Sequence, residues 1–183
     1  MVDVEVNMYP FFRIAYHSIK HRNAPALAPD EPHISQHRCW PVDLDPWWEL
    51  NNGRTLTLYD LGRIQLARRM GLIKVLKANG WGMTMAGVTA RYRRRVVMFD
   101  RFEMRSRAIG HDGRFMLLQQ SMWKGEEALS SVIYRVAVMG KNGIVPTAEV
   151  VETMGMGGWN PDLPDWVEAW VQSENARVWP PET

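Results

Sequence analysis

The chain contains a single cysteine, Cys39, so no intrachain disulfide can staple it. Such sparing use of cysteine suits a reducing compartment. No apolar run approaches the roughly 18–20 residues that cross a bilayer. The opening Met1-Val-Asp-Val-Glu-Val6 has neither the basic n-region nor the continuous apolar h-region of a secretory signal. A soluble, cytoplasmic protein without a transmembrane segment is expected. Charge of one sign is also scarce: 22 Lys and Arg against 20 Asp and Glu leave a net +2. No internal repeat or low-complexity tract is visible. What is present is a hydrophobic content of 46% over 183 residues, enough for one domain with a real core and against a disordered chain.

Three parts follow from the pattern. Residues 1–32 read as an extension: a short helix after Pro10 with Phe11, Phe12, Ala15 and Ile19 on one face, then a linker broken by Pro25, Pro29 and Pro32. An aromatic and basic amphipathic helix can lie on a membrane, but packing on the domain or on a second subunit is the plainer expectation. Residues 33–155 read as the core domain. A first strand covers 34–42, and a helix of about 53–70 is apolar around most of its circumference, as in a helix wrapped by other structure. Gly71 suits its C-terminal cap. Strand-like stretches follow at 83–98, 101–109, 114–123 and 128–139, separated by turn signals such as His111-Asp-Gly113. Residues 156–183 form a Trp-rich tail with Trp166, Val167, Trp170 and Val171 at helical spacing.

One strand, a long buried helix and then an antiparallel meander of four strands, a sheet of about five strands in all, make an α+β layout. To bury so much of the helix the sheet must curl around it. That arrangement is the hotdog fold.

The run Asp43-Leu-Asp-Pro-Trp-Trp-Glu-Leu-Asn-Asn52 stands immediately before this helix. A helix start offers unpaired backbone N–H groups and the positive end of the macrodipole, where an oxyanion is stabilised. A carboxylate beside such donors has the parts needed to attack an acyl carbonyl. Asp45 can also be read as a turn former before proline, and Asn51 and Asn52 as helix caps.

The same residues carry a family resemblance. From about Cys39 to Gly155 the chain resembles the 4-hydroxybenzoyl-CoA thioesterase branch of the hotdog superfamily. Members carry Asp-x-Asp-x-x-Gly-His-x-Asn-Asn before a helix ending in a small residue and Arg. Asp43, Asp45, Asn51 and Asn52 match the first motif, and Asp60-Leu-Gly-Arg63 matches the second. The resemblance implies acyl-CoA hydrolysis to free acid and CoA. It makes Asp45 the catalytic base or nucleophile, and an amide near Asn52 or Gly53 the carbonyl polariser. It also implies a homodimer or a dimer of dimers with sites at the subunit interface. No metal or redox cofactor is implied. The chain departs from the motif at Glu49, where the family has His, and at Trp48, where it has Gly. Glu49 adds a second carboxylate that can position water, and Trp47 and Trp48 can wall an acyl pocket.

Arg91, Arg93 and Arg95 alternate along one strand face, a stripe suited to CoA phosphates, although a solvated sheet face gives the same pattern. No aromatic platform accompanies the stripe, which disfavours nucleic acid. Arg63, far down the helix, is expected to pair with Asp60 or a buried carbonyl and not with substrate. His17 and His21 have i, i+4 spacing but no third ligand, which argues against a metal site. Two rivals remain. A hotdog hydratase requires a His where Trp48 stands. A non-catalytic acyl-CoA or acyl-carrier-protein binding module draws its support from the missing family His and the inserted Trp48.

Overall fold

A computed structural model describes residues 9–181. In chain order it forms α1 (Phe11–Lys20), β1 (His33–Arg38), a 3-10 turn (Pro41–Asp43), α2 (Asn52–Arg69) and α3 (Leu72–Asn79). The remaining elements are β2 (Gly82–Tyr92), β3 (Arg101–His111), β4 (Met116–Lys124), β5 (Glu127–Gly140), β6 (Gly143–Ile144), α4 (Thr147–Thr153) and α5 (Asp165–Ala176). All strand pairs are antiparallel, and the sheet runs β1-β3-β4-β5-β2, with β6 on the end of β5. The curled sheet wraps α2. This is the hotdog arrangement expected from sequence.

The sheet order differs from a simple four-stranded meander. Only β3, β4 and β5 follow one another; β2 crosses to the far edge and pairs with β5, leaving β3 to pair with β1. The stretch expected as a strand to residue 98 stops at Tyr92. Residues 93–100 leave the sheet and cross to the other side, which a tight hairpin turn would have prevented.

The core forms between α2 and the inner sheet face. Leu58, Leu61 and Leu66 of α2 meet Phe102, Met104, Leu118, Met122 and Tyr134, all nearly inaccessible. Full burial of each such side chain contributes roughly 1.5–3 kcal/mol. Gly62 marks the closest approach of helix to sheet, since a Cβ there would lie 2.6 Å from Met104 Sδ. The outer face is covered as well. Ile109, Leu117 and Ile133 pack on Val167 and Val171 of α5. The two central strands are therefore apolar on both faces.

Two helices depart from expectation. Gly71, in the left-handed region at φ 83°, ends α2 but also starts α3, which buries Leu72 and Leu76. The N-terminal helix α1 is seated opposite to its apolar pattern. Phe11, Phe12, Ala15, Tyr16 and Ile19 face solvent. The opposite side docks: Ile14 packs on the core, Ser18 receives hydrogen bonds from Gln65 and Arg68 of α2, and the His17 ring lies tilted 4.4 Å from that of His37 of β1.

Candidate active site

The turn before α2 separates the two aspartates that the sequence placed together. The Asp43 carboxylate is fully buried, held by Arg13 at 2.8 Å and Arg54 at 2.7 Å, and accepts the Trp40 N–H. Its job is to brace the turn against α1 and α2. Asp45 instead lines an open cavity of about 260 Å³ with Glu49, Leu50, Asn52, Thr55, Tyr92, Arg93, Arg94, Arg95, Val96 and Ser130. Asp45 Oδ1 accepts the N–H groups of Trp47 at 2.9 Å and Glu49 at 3.4 Å, which fixes the carboxylate. Oδ2 has no donor among the described residues. It stays available to a water or a substrate atom.

The helix start supplies the complementary part. Asn51 is the cap, its Oδ1 accepting the Arg54 N–H at 2.9 Å, and its carbonyl takes the Thr55 N–H. The amides of Asn52 and Gly53 find no acceptor among the described residues, as is usual for the first turn. Asn52 lines the Asp45 cavity, and its carbonyl accepts the Tyr92 hydroxyl at 3.1 Å. Asn51 and Gly53 line a separate hollow with Tyr9 and Arg54, on the other side of the helix start.

Residues 93–97 close the opposite wall: Arg93 and Arg94 still donate their N–H groups to Leu129 O of β5, and from Val96 onward the segment pairs with the turn before α2. Leu50 N–H donates to Val96 O at 2.7 Å, and Glu49 bridges to Val97. This break in alternation regroups the arginines. Arg95 binds Glu49 at 2.6 Å and Arg94 pairs with Glu127, while Arg93 has no carboxylate partner among the described residues. Arg91, still in β2, lines a different cavity with Trp166 and Trp170. Trp47 and Trp48 stand at the tip of the turn, about 70% exposed and outside the cavity. Trp48 holds φ 61°, a left-handed conformation that explains glycine in the family motif at this place.

Sequence reasoning therefore missed Leu50, Thr55, Tyr92, Arg94, Val96 and Ser130 as cavity walls. Tyr92 was countable as a sheet residue only, and Ser130 lies on β5, remote in sequence. Beneath the cavity Ser130 Oγ meets the Tyr59 hydroxyl at 2.9 Å, and burial raises the pKa of both Tyr59 and Tyr92. Both phenols stay neutral donors near neutral pH. Arg63 forms the expected ion pair with Asp60 and lies 4.4 Å over the Tyr134 ring, away from the cavity. Among the described residues no group of three or more His, Cys, Asp or Glu is arranged to hold a metal ion.

A family model described as the thioesterase-like superfamily matches residues 39–171. The chain belongs to that superfamily. It is 29% identical over 135 residues to Protein THEM6 of Xenopus laevis, an alignment covering 72% of this chain and 63% of the relative. To Protein THEM6 of Danio rerio it is 32% identical over 92 residues, covering 50% and 46%. The chain thus spans about half to two thirds of the length of these relatives. Among solved structures, the YbaW probable thioesterase of Escherichia coli superposes with a TM-score of 0.62 at 16% identity, covering 68% of this chain and 97% of that one. The BH1999 gentisyl-coenzyme A thioesterase superposes with a TM-score of 0.57 at 12% identity, covering 66% and 98%. At these identities the structural likeness establishes the hotdog fold. No described helix is long and apolar enough to cross a membrane.

Proposed function

We propose that this thioesterase-like chain hydrolyses an acyl-CoA thioester to the free acid and CoA, with Asp45 as the catalytic carboxylate. The observation that carries this reading is the state of Asp45: one oxygen pinned by two backbone amides, the other open to a cavity shared with the start of α2. As general base, Oδ2 takes a proton from water while the water oxygen bonds to the thioester carbon. The carbonyl oxygen gains charge against the free amide of Asn52, the helix-start residue that shares the Asp45 cavity. Collapse of the adduct breaks the C–S bond, and the CoA thiolate recovers the proton from Asp45. As nucleophile, the same oxygen forms a mixed anhydride with release of the thiolate, and water then cleaves the anhydride. Asn52 positions the reacting groups, and Glu49 holds Arg95 at the rim. Arg93, with Arg95 beside it, meets the CoA phosphates.

A dimer through β2 accompanies this reading. β2 is an eleven-residue edge strand with Met85, Val88 and Tyr92 exposed, and a long unpaired edge is a template for strand addition. At about 260 Å³ the cavity lies below the roughly 300–1,000 Å³ usual for a small-molecule site, which suits a site completed by a second subunit.

The second reading, a binding module without turnover, is favoured by one observation: Glu49, at the motif's His position, is tied to Arg95. Thiol release from a panel of acyl-CoAs, run beside calorimetric binding of the same panel, separates the two. Turnover of any member supports hydrolysis. Binding without thiol release supports the module.

A further inference from the structure

Apart from Phe11, whose ring lies 4.8 Å from that of Tyr9, the exposed aromatic and aliphatic face of α1 packs on no other element among the described residues. Phe12 is 93% exposed, Ile19 66%, Tyr16 59% and Phe11 58%, all on one side of a ten-residue helix. From Phe11 to Arg22 there is no acidic residue, whereas Arg13, Lys20 and Arg22 are basic. Beside the helix runs an open groove of about 750 Å³, whose walls include Phe12, Tyr16, Lys20, Arg38, Trp40 and Arg101. Arg38 and Arg101 stand directly opposite each other across the β1–β3 ladder. Like charges in that register repel, and neither arginine pairs with a carboxylate among the described residues. The nearby carboxylates are committed: Asp43 to Arg13 and Arg54, and Glu103 to Arg105 and Gln36. An apolar helix face bordered by unneutralised cations calls for a surface that is apolar and anionic at once.

We propose that α1 and its basic groove dock on an anionic phospholipid bilayer. The helix lies in the interfacial plane, its aromatic face entering the boundary of headgroups and acyl chains. Lys20, Arg38 and Arg101 meet lipid phosphates. A second copy of this chain is the poorer occupant, because a two-fold contact sets the cationic groove against itself. A free phosphate satisfies the arginines but leaves Phe11, Phe12 and Ile19 in water. Because β1 and β2 are opposite edges of the sheet, pairing through β2 leaves α1 open in both subunits.

The test is co-sedimentation of the full chain with phosphatidylcholine vesicles, with and without about a third phosphatidylglycerol. Two variants accompany it, Phe12→Ser/Ile19→Ser and Arg38→Gln/Arg101→Gln, with circular dichroism to confirm folding. The wild type is expected to sediment with the anionic vesicles and to be released by salt. The apolar variant is expected to stay in the supernatant. The arginine variant is expected to lose roughly twenty-fivefold in partition, about fivefold for each of the two cations at an anionic leaflet. Wild-type protein remaining in the supernatant, or equal binding to neutral vesicles, overturns the proposal. So does a halved particle mass of the apolar variant in light scattering, which makes α1 a contact between copies. Binding of inorganic phosphate without vesicle binding overturns it as well.

Discussion

Arg95 Nε lies 2.6 Å from Glu49 Oε2, joining the segment after β2 to the turn before α2. The pair closes the rim of the Asp45 cavity, yet Arg95 is 70% exposed, and exposed pairs contribute little. Glu49 is therefore expected to brace the rim without moving protons. Glu49→Gln should keep kcat within about threefold and change stability by less than about 1 kcal/mol. Steady-state kinetics check this. A loss as deep as that of an Asp45 variant would make Glu49 a base in its own right.

Arg93 is the cavity arginine without a carboxylate partner among the described residues, and it is the best candidate for a CoA phosphate. Arg93→Ala should raise KM for acyl-CoA about five- to tenfold, the scale of one partly exposed charge-assisted hydrogen bond. KM for a truncated pantetheine thioester should not move. Arg91→Ala, which alters a different cavity, should leave both unchanged. Equal KM effects on both substrates would place Arg93 away from the phosphates.

Asp43 is expected to matter for stability ahead of chemistry. Asp43→Asn leaves two arginines around a buried position without their countercharge. Breaking such a cluster costs about 3–5 kcal/mol. Urea denaturation should show the loss as a lowered midpoint. Unchanged stability with abolished turnover would instead put Asp43 in the reaction.

The histidines between α1 and β1 set an acid limit. Burial and the nearby His21, with Lys20 and Arg13, lower His17 to about 4. Burial, His21 and Arg69 lower His33 to about 4, and burial with His17 and Arg13 holds His37 well below its ordinary value. From the ordinary 6.5 down to about 4 the unfolded chain binds protons that the folded chain does not. Stability is thus complete above about 6.5 and falls as pH drops, by up to about 1.4 kcal/mol per pH unit for each fully protected histidine. Denaturation midpoints measured across this range should fall steeply, and His37→Gln should flatten the slope. A wild-type midpoint independent of pH would show that the histidines are open to water.

The central helix and most of the strands were legible because burial leaves a periodic record: α2 is apolar around its girth, and β5 carries Val132, Tyr134 and Val136 inward with Ile133 outward. Strand order was hidden, since residues 93–100 are long enough to cross the sheet and no local signal shows which edge they reach. The same segment undid the alternation of Arg91, Arg93 and Arg95. Helix α3 is absent from the sequence reading, where Gly71 serves only as the end of α2, although Leu72 and Leu76 have helical spacing. The amphipathic pattern of α1 gave the helix correctly and its orientation wrongly. Its polar face found buried histidines and the hydroxyl of Ser18, partners that no pattern within α1 can reveal. In the candidate site, the motif marked Asp45 and Asn52, which line one cavity, whereas Tyr92, Arg94 and Ser130 join that cavity by tertiary folding alone.

The most direct measurement is thiol release from the best acyl-CoA substrate by the wild type and by Asp45→Asn, with fold and oligomeric state matched. The Asn side chain still accepts the Trp47 and Glu49 amides but can neither take a proton nor attack. Turnover is expected to fall at least about a hundredfold, the lower range for a lost general base, with KM little changed. Equal rates in the two proteins would contradict Asp45 as the catalytic carboxylate.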